Sequence, residues 1–521
     1  MAEVDARTRA EVDAGQGAQA SDQWREIARR YAGMAGGFFV FALLVHVPGY
    51  FHQLYDPDEA TIADQAITLQ HGGRLYIDAI DRKPPLPTYL YHAAFAIFGN
   101  VDLRPVHLVA ALLLAVAACA VAADVSLRTR AQRVWAGVLM ITAAVAFLPD
   151  AGQAANYAHF ALAPGAVAMV LARRRSKRAA ALAGLALAVA VLCRQTWLIG
   201  LLPAGMAVAR SRRWSHLGWM FGGFAVGIGV VVAWLPTADV WHWVFASNEG
   251  FLLTGPNWSM VAVSFFGGLA LLVGLHLPLL IPVALRIRAA GSLRQAVQVD
   301  RDLWIWWATA TVAWISGFRF FAHYWIQSLP PLVLLAAPTA ARITGRLRTW
   351  ILALLVVVTT AAVVAGFTPG TFRTLPNTTP LAKYVAAHSR PDQPILVWGN
   401  LPQAQWESDR PLGGALVHSD FVTGVSGNRT ADPSTVPATT PGAYKAVLRS
   451  VYTHPPQLVL DTSTADLRAY GGQYYDGKYP LSVFPQLKYF VDTYYTLAAR
   501  VNGVTIYRLR QEYSGNNGAG S

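Results

Sequence analysis

Residues 173–213 read RRRSKRAAALAGLALAVAVLCRQTWLIGLLPAGMAVARSRR and decide the fold class. Two basic clusters, 173–178 and 210–213, enclose the mostly apolar residues 179–209. Because lysine and arginine concentrate on the cytoplasmic side of membrane proteins, both clusters are expected on the same side. The chain must therefore leave and return between them, and the pattern predicts a helical hairpin in a membrane.

This hairpin is too short to cross a bilayer twice. Each arm has about 15 residues, or roughly 22 Å of helix, against a hydrocarbon core of about 30 Å. The turn at Cys193-Arg194-Gln195-Thr196 is therefore predicted to lie below the outer surface. An arginine at that depth costs about 2.5–3.5 kcal/mol on insertion scales, so Arg194 is expected to face a wet cavity or an anion. Snorkelling to lipid phosphates is the alternative.

The rest of the chain has the same character. Of its 521 residues, 54% are hydrophobic and 14% are charged, which favours a polytopic membrane protein over a series of soluble domains. About eleven membrane-spanning helices are predicted, forming an all-α bundle. The apolar runs are 34–51, 104–123, 132–149, 157–172, 179–193, 196–209, 216–236, 258–285, 303–318, 324–341 and 349–367.

The basic residues between these runs predict the orientation. Five clusters lie near 128–133, 173–178, 210–213, 286–301 and 342–348, and all fall on one face if the chain begins in the cytoplasm. An odd number of spans then places the residues after 367 outside. The net charge of +13 is thus a topology signal, and no nucleic-acid partner is predicted. Arginine and alanine richness is typical of a GC-rich bacterium, which indicates a bacterial plasma membrane.

The composition changes along the chain and predicts four parts. They are a cytoplasmic tail (1–33), a transmembrane domain (34–367), an extracytoplasmic small α/β domain (368–513) and a flexible end (514–521). In the α/β domain, a helix is predicted at 380–388 and strands at 394–398, 457–461 and 504–509.

Carboxylates in the membrane part concentrate in one place. Seven of the thirteen between 34 and 367 lie in the first outer loop, 52–103. There Asp58 and Glu59 are predicted to open a helix that ends near Gly72, because acidic residues favour the first helical turn. The apolar stretch 86–98 is too short to span and is predicted to lie along the outer interface. Together these segments predict an active-site rim at the membrane surface.

Four motifs occur in order along the membrane part. They are Asp58-Glu59, Arg82-Lys83-Pro84-Pro85, Ala155-Asn156-Tyr157-Ala158-His159-Phe160, and Arg319-Phe320-Phe321-Ala322-His323-Tyr324 with Leu329-Pro330-Pro331. The set resembles the membrane glycosyltransferases of the C-type (GT-C) fold. The resembled branch comprises the protein O-mannosyltransferases and lipid A aminoarabinose transferases. Relatives often carry a glutamate where this chain has Ala158, which leaves Asp150 as the best substitute for a second acidic position.

The resemblance implies transfer of one sugar from a polyprenyl phosphate to an acceptor hydroxyl, with inversion at the anomeric carbon. A hydroxyl is a poor nucleophile at neutral pH, so a carboxylate that takes its proton assists the attack. Asp58 is the candidate base. Glu59 is the alternative, either as the base or as a residue that orients Asp58.

The leaving phosphate gains negative charge in the transition state, which fixed cations stabilise. Lys83 is the first candidate, and interfacial snorkelling is its alternative role. The further candidates for donor phosphate binding are Arg82, Arg194, Arg319, His323 and Tyr324. Weaker candidates for binding the acceptor or the sugar are Asn156, His159, Trp243 and Glu249. For Trp243, an interfacial aromatic belt is the alternative.

No metal or other cofactor is predicted, because the resembled branch generally works without one. Asp56, Asp58, Glu59 and Asp150 could nevertheless gather around a divalent cation, as in the oligosaccharyltransferase branch of the fold. The implied partners are a lipid-linked sugar donor, a glycan, lipid or protein acceptor, and membrane lipid. Mannose and arabinofuranose are both plausible sugars, so the transferred unit could be a hexose or a pentose.

Two other functions fit a membrane protein of this composition. One is a flippase or transporter of lipid-linked glycans, and the other is a degenerate relative that only binds them. Transporters place charged residues near the bilayer midplane and often have internally repeated halves. Here the carboxylates collect at one outer rim, which favours the enzyme.

Overall fold

A computed structural model describes residues 31–210, 214–247, 258–316, 318, 320–372, 375, 377–424, 439–465 and 480–514. Helices dominate the part before residue 367. These are α1 (Tyr31–Val45), α2 (Pro57–Gln70), α3 (Leu86–Phe98), α4 (Arg104–Ala122), α5 (Arg130–Val145), α6 (Pro149–Gly152), α7 (Tyr157–Ala172), α8 (Lys177–Cys193), α9 (Leu201–Ala209), α10 (Ser215–Trp234), α11 (Thr237–Val240), α12 (Trp258–Leu275), α13 (Leu277–Ala289), α14 (Leu293–Val299), α15 (Arg301–Ile315), α16 (Leu329–Ala340) and α17 (Gly345–Gly366).

The remaining elements follow residue 368. The helices are α18 (Pro369–Phe372), α19 (Thr379–His388), α20 (Pro402–Glu407), α21 (Asp420–Thr423), α22 (Ala443–Thr453), α23 (Pro485–Tyr494) and α24 (Gln511–Ser514). The strands are β1 (Ile395–Trp398), β2 (Leu458–Asp461), β3 (Tyr495–Val501) and β4 (Val504–Leu509). We call the described residues from 377 to 514 the C-terminal region.

Each apolar run that was predicted to span coincides with helix, but the helices differ in length. Within the described residues, α4, α10 and α17 are long and apolar enough to cross a membrane. Val261–Leu275 and α13 meet the same test together, with a bend of 84° between them. Helices α1 and α7 and the segment Gln195–Ala209 are apolar but shorter. The count of eleven spans therefore stays a prediction.

An ionic network joins four helices at one end of the bundle. Arg173, just after α7, donates from Nε to Asp124 Oδ2 at 2.9 Å and also pairs with Asp302 on α15. Arg210, just after α9, donates to Asp302 Oδ1 at 3.2 Å. The basic clusters near 173, 210 and 301 therefore share one end of the bundle, as the predicted topology requires.

The predicted hairpin turn is present. Helix α8 ends at Cys193, Arg194 is extended, and a 3-10 turn over Gln195–Gly200 leads into α9. The break therefore puts Arg194 at the opposite end of α8 from the basic cluster 173–178.

Four strands form one sheet in the order β1-β2-β4-β3, with β1 and β2 parallel and the other pairs antiparallel. Strand β2 packs against apolar clusters on both faces of the sheet, because Leu458 and Leu460 join one core cluster and Val459 joins another. The three predicted strands are present. Strand β3 was missed since most of its side chains are exposed, so it lacks the apolar run that identified the others.

The C-terminal region packs against the loop 52–103, which was predicted to lie outside. Ile80 N donates to Ala415 O at 2.7 Å, and Val417 N donates to Ile80 O at 3.2 Å. Tyr76 from the loop and Phe421 from the C-terminal region belong to the same buried apolar cluster. Loop and C-terminal region thus share a core, although they are far apart in the sequence.

Helices α8 and α10 approach so closely that glycine is needed at the contact. A Cβ atom on Gly223 would lie 2.0 Å from the carbonyl oxygen of Ala181. A Cβ atom on the neighbouring Gly222 would have nothing within 4 Å.

Gly223→Ala is therefore expected to lower the free energy of unfolding by about 1–3 kcal/mol, since the backbone of α8 must move to admit the methyl group. Gly222→Ala is the matched control and should unfold at or above the wild-type temperature, because alanine favours a helix over glycine and its methyl group meets no neighbour here. Thermal unfolding of the purified protein in detergent measures both. Equal midpoints for the two variants would contradict the close contact.

Candidate active site

The acidic helix α2 begins with a reciprocal cap. The side chain of Asp56 accepts a hydrogen bond from Asp58 N at 3.2 Å, and Glu59 Oε2 accepts from Tyr55 N at 2.7 Å and Asp56 N at 3.0 Å. Pro57 occupies the first helical turn, where its missing N–H costs nothing. The sequence Asp-Pro-Asp-Glu thus begins the helix where predicted and places Asp58 on its first turn.

Glu59 is completely buried and connects three segments. Besides its cap contacts, its Oε1 accepts from Ala155 N at 2.6 Å and lies 3.4 Å from His107 Nε2. Burial raises the pKa of Glu59 to about 7, although the backbone amides that it accepts from act in the opposite direction. With no exposed surface, Glu59 is inaccessible to an acceptor, so its contacts fit the role of orienting Asp58.

Asp58 and Lys83 face each other across the site. Lys83 Nζ lies 3.9 Å from Asp58 Oδ2 and 5.1 Å from the centre of the Tyr157 ring. The side chain of Lys83 is 27% exposed and that of Asp58 is 31% exposed, so both can be reached from outside. Burial by itself would lower the pKa of Lys83, but Asp58 and Tyr324 more than offset this and raise it. The lysine therefore carries its positive charge into the site.

The backbone around Lys83 is firmly held. Tyr76 OH donates to Lys83 O at 2.8 Å, and Asp81 Oδ1 accepts from Arg82 N at 2.6 Å. Tyr157 OH then donates to Asp81 Oδ2 at 2.9 Å, which ties this turn to the start of α7. Tyr157 thus fixes the turn through its hydroxyl and faces Lys83 with its ring.

Arg194 supplies a second cation. Its guanidinium lies 3.9 Å from the centre of the Tyr324 ring, and its Nε donates to Thr196 Oγ1 at 3.0 Å. Its charge interacts with those of Lys83 and Asp58. At 7% exposure, Arg194 is buried beside the site and does not snorkel to the surface. This position fits the expectation of a wet cavity or an anion beside Arg194 better than it fits snorkelling to lipid phosphates.

Asp56 and His323 adjoin this group. His323 Nδ1 lies 3.9 Å from Asp56 Oδ2, which also accepts from Asn156 Nδ2 at 3.3 Å. One ligand atom each of Asp56, Asp58 and His323 lie within 4.8 Å of one another. Two carboxylate oxygens and an imidazole nitrogen can hold a divalent cation, so these three residues are the candidate metal ligands.

The structure does not bring all predicted residues to the site. The guanidinium of Arg82 pairs with Asp420 Oδ2 at 2.9 Å and is buried against the C-terminal region. Trp243 is also buried, 6.4 Å from the Phe421 ring, which leaves it no open face for a sugar. Both side chains therefore make structural contacts in this structure, and their expected roles in substrate binding stay predictions.

Three other candidates occupy neighbouring positions. Asn156 and His159 are buried and bonded to each other at 3.2 Å, so they support Asp56 and present no surface to an acceptor. Asp150 lies half-buried on α6, which packs against the 3-10 turn Ala322–Ser328 that carries His323. Arg319 and Glu249 lie outside the described residues.

The prediction missed residues that hold the site from a distance. Asp81 belongs to the acidic loop and Tyr157 to the motif 155–160, so the sequence provided a reason to consider both as site residues. Gln195 donates to Arg82 O at 3.2 Å, and Asp420 pairs with the side chain of Arg82. The sequence does not indicate either contact, because the partners lie 113 and 338 residues apart.

Comparison with known proteins identifies solved structures of similar fold but no relative that is recognisable by sequence. No protein-family model and no curated protein matches the chain. Among solved structures, ArnT from Cupriavidus metallidurans matches in the apo state (TM-score 0.51, 14% identity) over 92% of this chain and 98% of that one. ArnT bound to undecaprenyl phosphate matches equally well (0.51, 15%) over 91% and 98%.

The archaeal oligosaccharyltransferase AglB from Archaeoglobus fulgidus, in complex with an inhibitory peptide and a dolichol-phosphate, also matches. Its TM-score is 0.43 at 12% identity, over 94% of this chain and 75% of that one. At the identities found for ArnT, similarity establishes architecture and not activity. The chain has the membrane GT-C fold of ArnT, as the sequence predicted.

Proposed function

We propose that this chain is a membrane glycosyltransferase that moves a sugar from a polyprenyl-phosphate carrier to an acceptor hydroxyl. One observation carries the proposal: a partly exposed carboxylate, Asp58, faces Lys83 at 3.9 Å, with Arg194 beside them. A base next to two cations suits a reaction in which a hydroxyl attacks and a phosphate leaves. The ArnT structure bound to undecaprenyl phosphate supports the choice of carrier.

Asp58 is the proposed base. It accepts the proton of the acceptor hydroxyl while the hydroxyl oxygen bonds to the anomeric carbon. The bond from that carbon to the carrier's phosphate oxygen breaks on the opposite side, so the configuration inverts. The cap on α2 supports this role, because it holds Asp58 near the surface while Asp56 and Glu59 are engaged in the cap itself.

Lys83 and Arg194 are the proposed partners of the leaving phosphate. Both are held in place, Lys83 through its backbone carbonyl and Arg194 through Thr196 and Tyr324. Cations that are positioned in advance stabilise developing charge without reorganising at the moment of reaction. A buried arginine also interacts more strongly with phosphate than a solvated one does.

Substrate binding must separate Asp58 from Lys83. The attacking oxygen and the leaving oxygen lie on opposite sides of the anomeric carbon, so base and cation cannot stay in contact. Their distance of 3.9 Å is long beside the roughly 2.7–2.9 Å of a strong charge-assisted hydrogen bond, and both side chains are partly exposed. The pair is therefore able to open.

We place the reaction on the outer face of a bacterial plasma membrane, with the N-terminus in the cytoplasm and the C-terminal region outside. The clustering of basic residues at the end of the bundle opposite Arg194 supports this orientation. Proteins, lipids and glycans are all eligible acceptors, and mannose and arabinofuranose remain eligible sugars.

Asp58→Asn should lower kcat for sugar transfer by about 10²–10⁴-fold, because the amide cannot accept the proton. The KM for the donor should not rise and is expected to fall, because Lys83 no longer has to separate from a carboxylate when the phosphate binds. Turnover of a synthetic polyprenyl-phosphate sugar by the purified protein measures both. Asp78→Asn is the matched control, since Asp78 lies in the same loop but pairs with Arg74 at the surface. A flippase or a glycolipid-binding protein would show no turnover even in the wild type.

Lys83→Met should weaken binding of undecaprenyl phosphate roughly 10- to 100-fold, as expected when a hydrogen bond to a charged group is lost. Lys383→Met removes an exposed lysine from the C-terminal region and should leave binding unchanged. Titration of the purified protein with the lipid gives both dissociation constants. Equal affinities for wild type and Lys83→Met would exclude Lys83 from the phosphate site.

Transfer is expected to continue after treatment with EDTA, because Lys83 and Arg194 already supply positive charge for the leaving phosphate. A divalent cation held by Asp56, Asp58 and His323 would supply the same stabilisation. Activity assays with EDTA, followed by Mg²⁺ or Mn²⁺, test this. Loss of activity that either ion restores, together with a higher metal requirement in His323→Ala, would instead assign these residues to a metal site.

A further inference from the structure

Arg82, the neighbour of Lys83, is clamped by the C-terminal region. Its Nη1 donates to Asp420 Oδ2 at 2.9 Å, its Nη2 lies 3.5 Å from Thr440 Oγ1, and its guanidinium carbon lies 3.8 Å from the centre of the Phe421 ring. The side chains of Arg82 and Asp420 are 7% and 2% exposed. Three contacts from one region thus hold a single buried cation.

The main chain at Arg82 is held by a different part of the protein. Its carbonyl oxygen accepts from Gln195 Nε2 at 3.2 Å, and Gln195 is adjacent to Arg194. The backbone of Arg82 therefore contacts the membrane bundle, while its side chain contacts the C-terminal region. Lys83 follows directly, so any shift of Arg82 is passed to the next Cα, about 3.8 Å away.

Asp420 is well suited to keep Arg82 in place. Its second carboxylate oxygen is in contact with His418 Nδ1, so both oxygens are engaged. Burial by itself would raise the pKa of Asp420, but Arg82 and His418 more than offset this and hold it well below its ordinary range. The carboxylate is therefore charged at physiological pH. Removing one partner of such a buried pair leaves the other charge without compensation, which favours its movement toward water.

We propose that Asp420 is a positioning residue for the donor-phosphate site, which acts through Arg82 to fix Lys83. This inference rests on the proposed function, since Lys83 is assigned there to the carrier's phosphate. It makes the C-terminal region part of the phosphate-binding apparatus even though it contributes no group that touches the phosphate.

The sign of the effect separates positioning from a simple charge effect. Asp420→Asn removes a negative charge, which by long-range electrostatics alone would strengthen binding of an anion. Release of Arg82 displaces Lys83, which weakens binding. The two explanations therefore predict opposite changes in the affinity for a lipid phosphate.

A double-mutant cycle with the full-length protein tests the proposal. Dissociation constants for undecaprenyl phosphate are measured for wild type, Asp420→Asn, Lys83→Met and the double variant. We expect Asp420→Asn to weaken binding about tenfold in the wild-type background and less than twofold in the Lys83→Met background, as for residues in one coupled network. Equal losses in both backgrounds, no loss, or tighter binding would overturn the proposal.

Two further variants and the wild-type affinity itself keep the result unambiguous. Asp392→Asn, which removes a carboxylate from an exposed pair with Arg390, should bind like the wild type. If Asp420→Asn does not fold, Phe421→Leu takes its place, because it removes the ring from Arg82 and leaves the ion pair. A wild-type protein that does not bind undecaprenyl phosphate would overturn the proposed function together with this inference. A wild type that binds, with additive losses, would overturn the inference alone.

Discussion

The candidate site depends on one buried carboxylate, that of Glu59. It accepts hydrogen bonds from the two amides that precede α2 and from the amide of Ala155, and it lies beside His107 of α4. A buried charge-bearing group without partners would be strongly unfavourable, so these contacts are mutually required. They bring the start of α2, the approach to α7 and the side of α4 to one point. Asp58 takes its place on the first turn of α2 as a consequence.

Local sequence patterns predicted the parts of the structure that local interactions determine. The Asp-Pro-Asp-Glu sequence encodes a helix start, and the apolar runs encode helices, so both were found where expected. The break at Arg194 followed from counting residues between basic clusters. Lys83 and Arg194 were predicted near Asp58 because the topology placed all three at the same end of the bundle, and the structure brings them together.

The remaining features depend on contacts between distant residues. Nothing near Arg82 in the sequence indicates that its side chain turns toward Asp420, so it was assigned to the phosphate together with Lys83. Trp243 was interpreted as a surface aromatic, but a shared core with Phe421 covers it. Strand β3 is defined by its pairing with β4, and its mostly exposed side chains give no apolar run by which the sequence could reveal it. In each case the deciding partner comes from another segment of the chain.

The shared core between the first outer loop and the C-terminal region also governs the order of assembly. Arg82 leaves the ribosome 338 residues before Asp420. At synthesis rates of about 5–20 residues per second, the loop waits roughly 17–70 s for the residues that cover it. During that interval Tyr76 and Ile80 lack their apolar neighbours and Arg82 lacks its counter-ion. The nascent protein thus completes its helical bundle before the residues that cover the loop exist, and the shared core can form only after residue 420 has been synthesised.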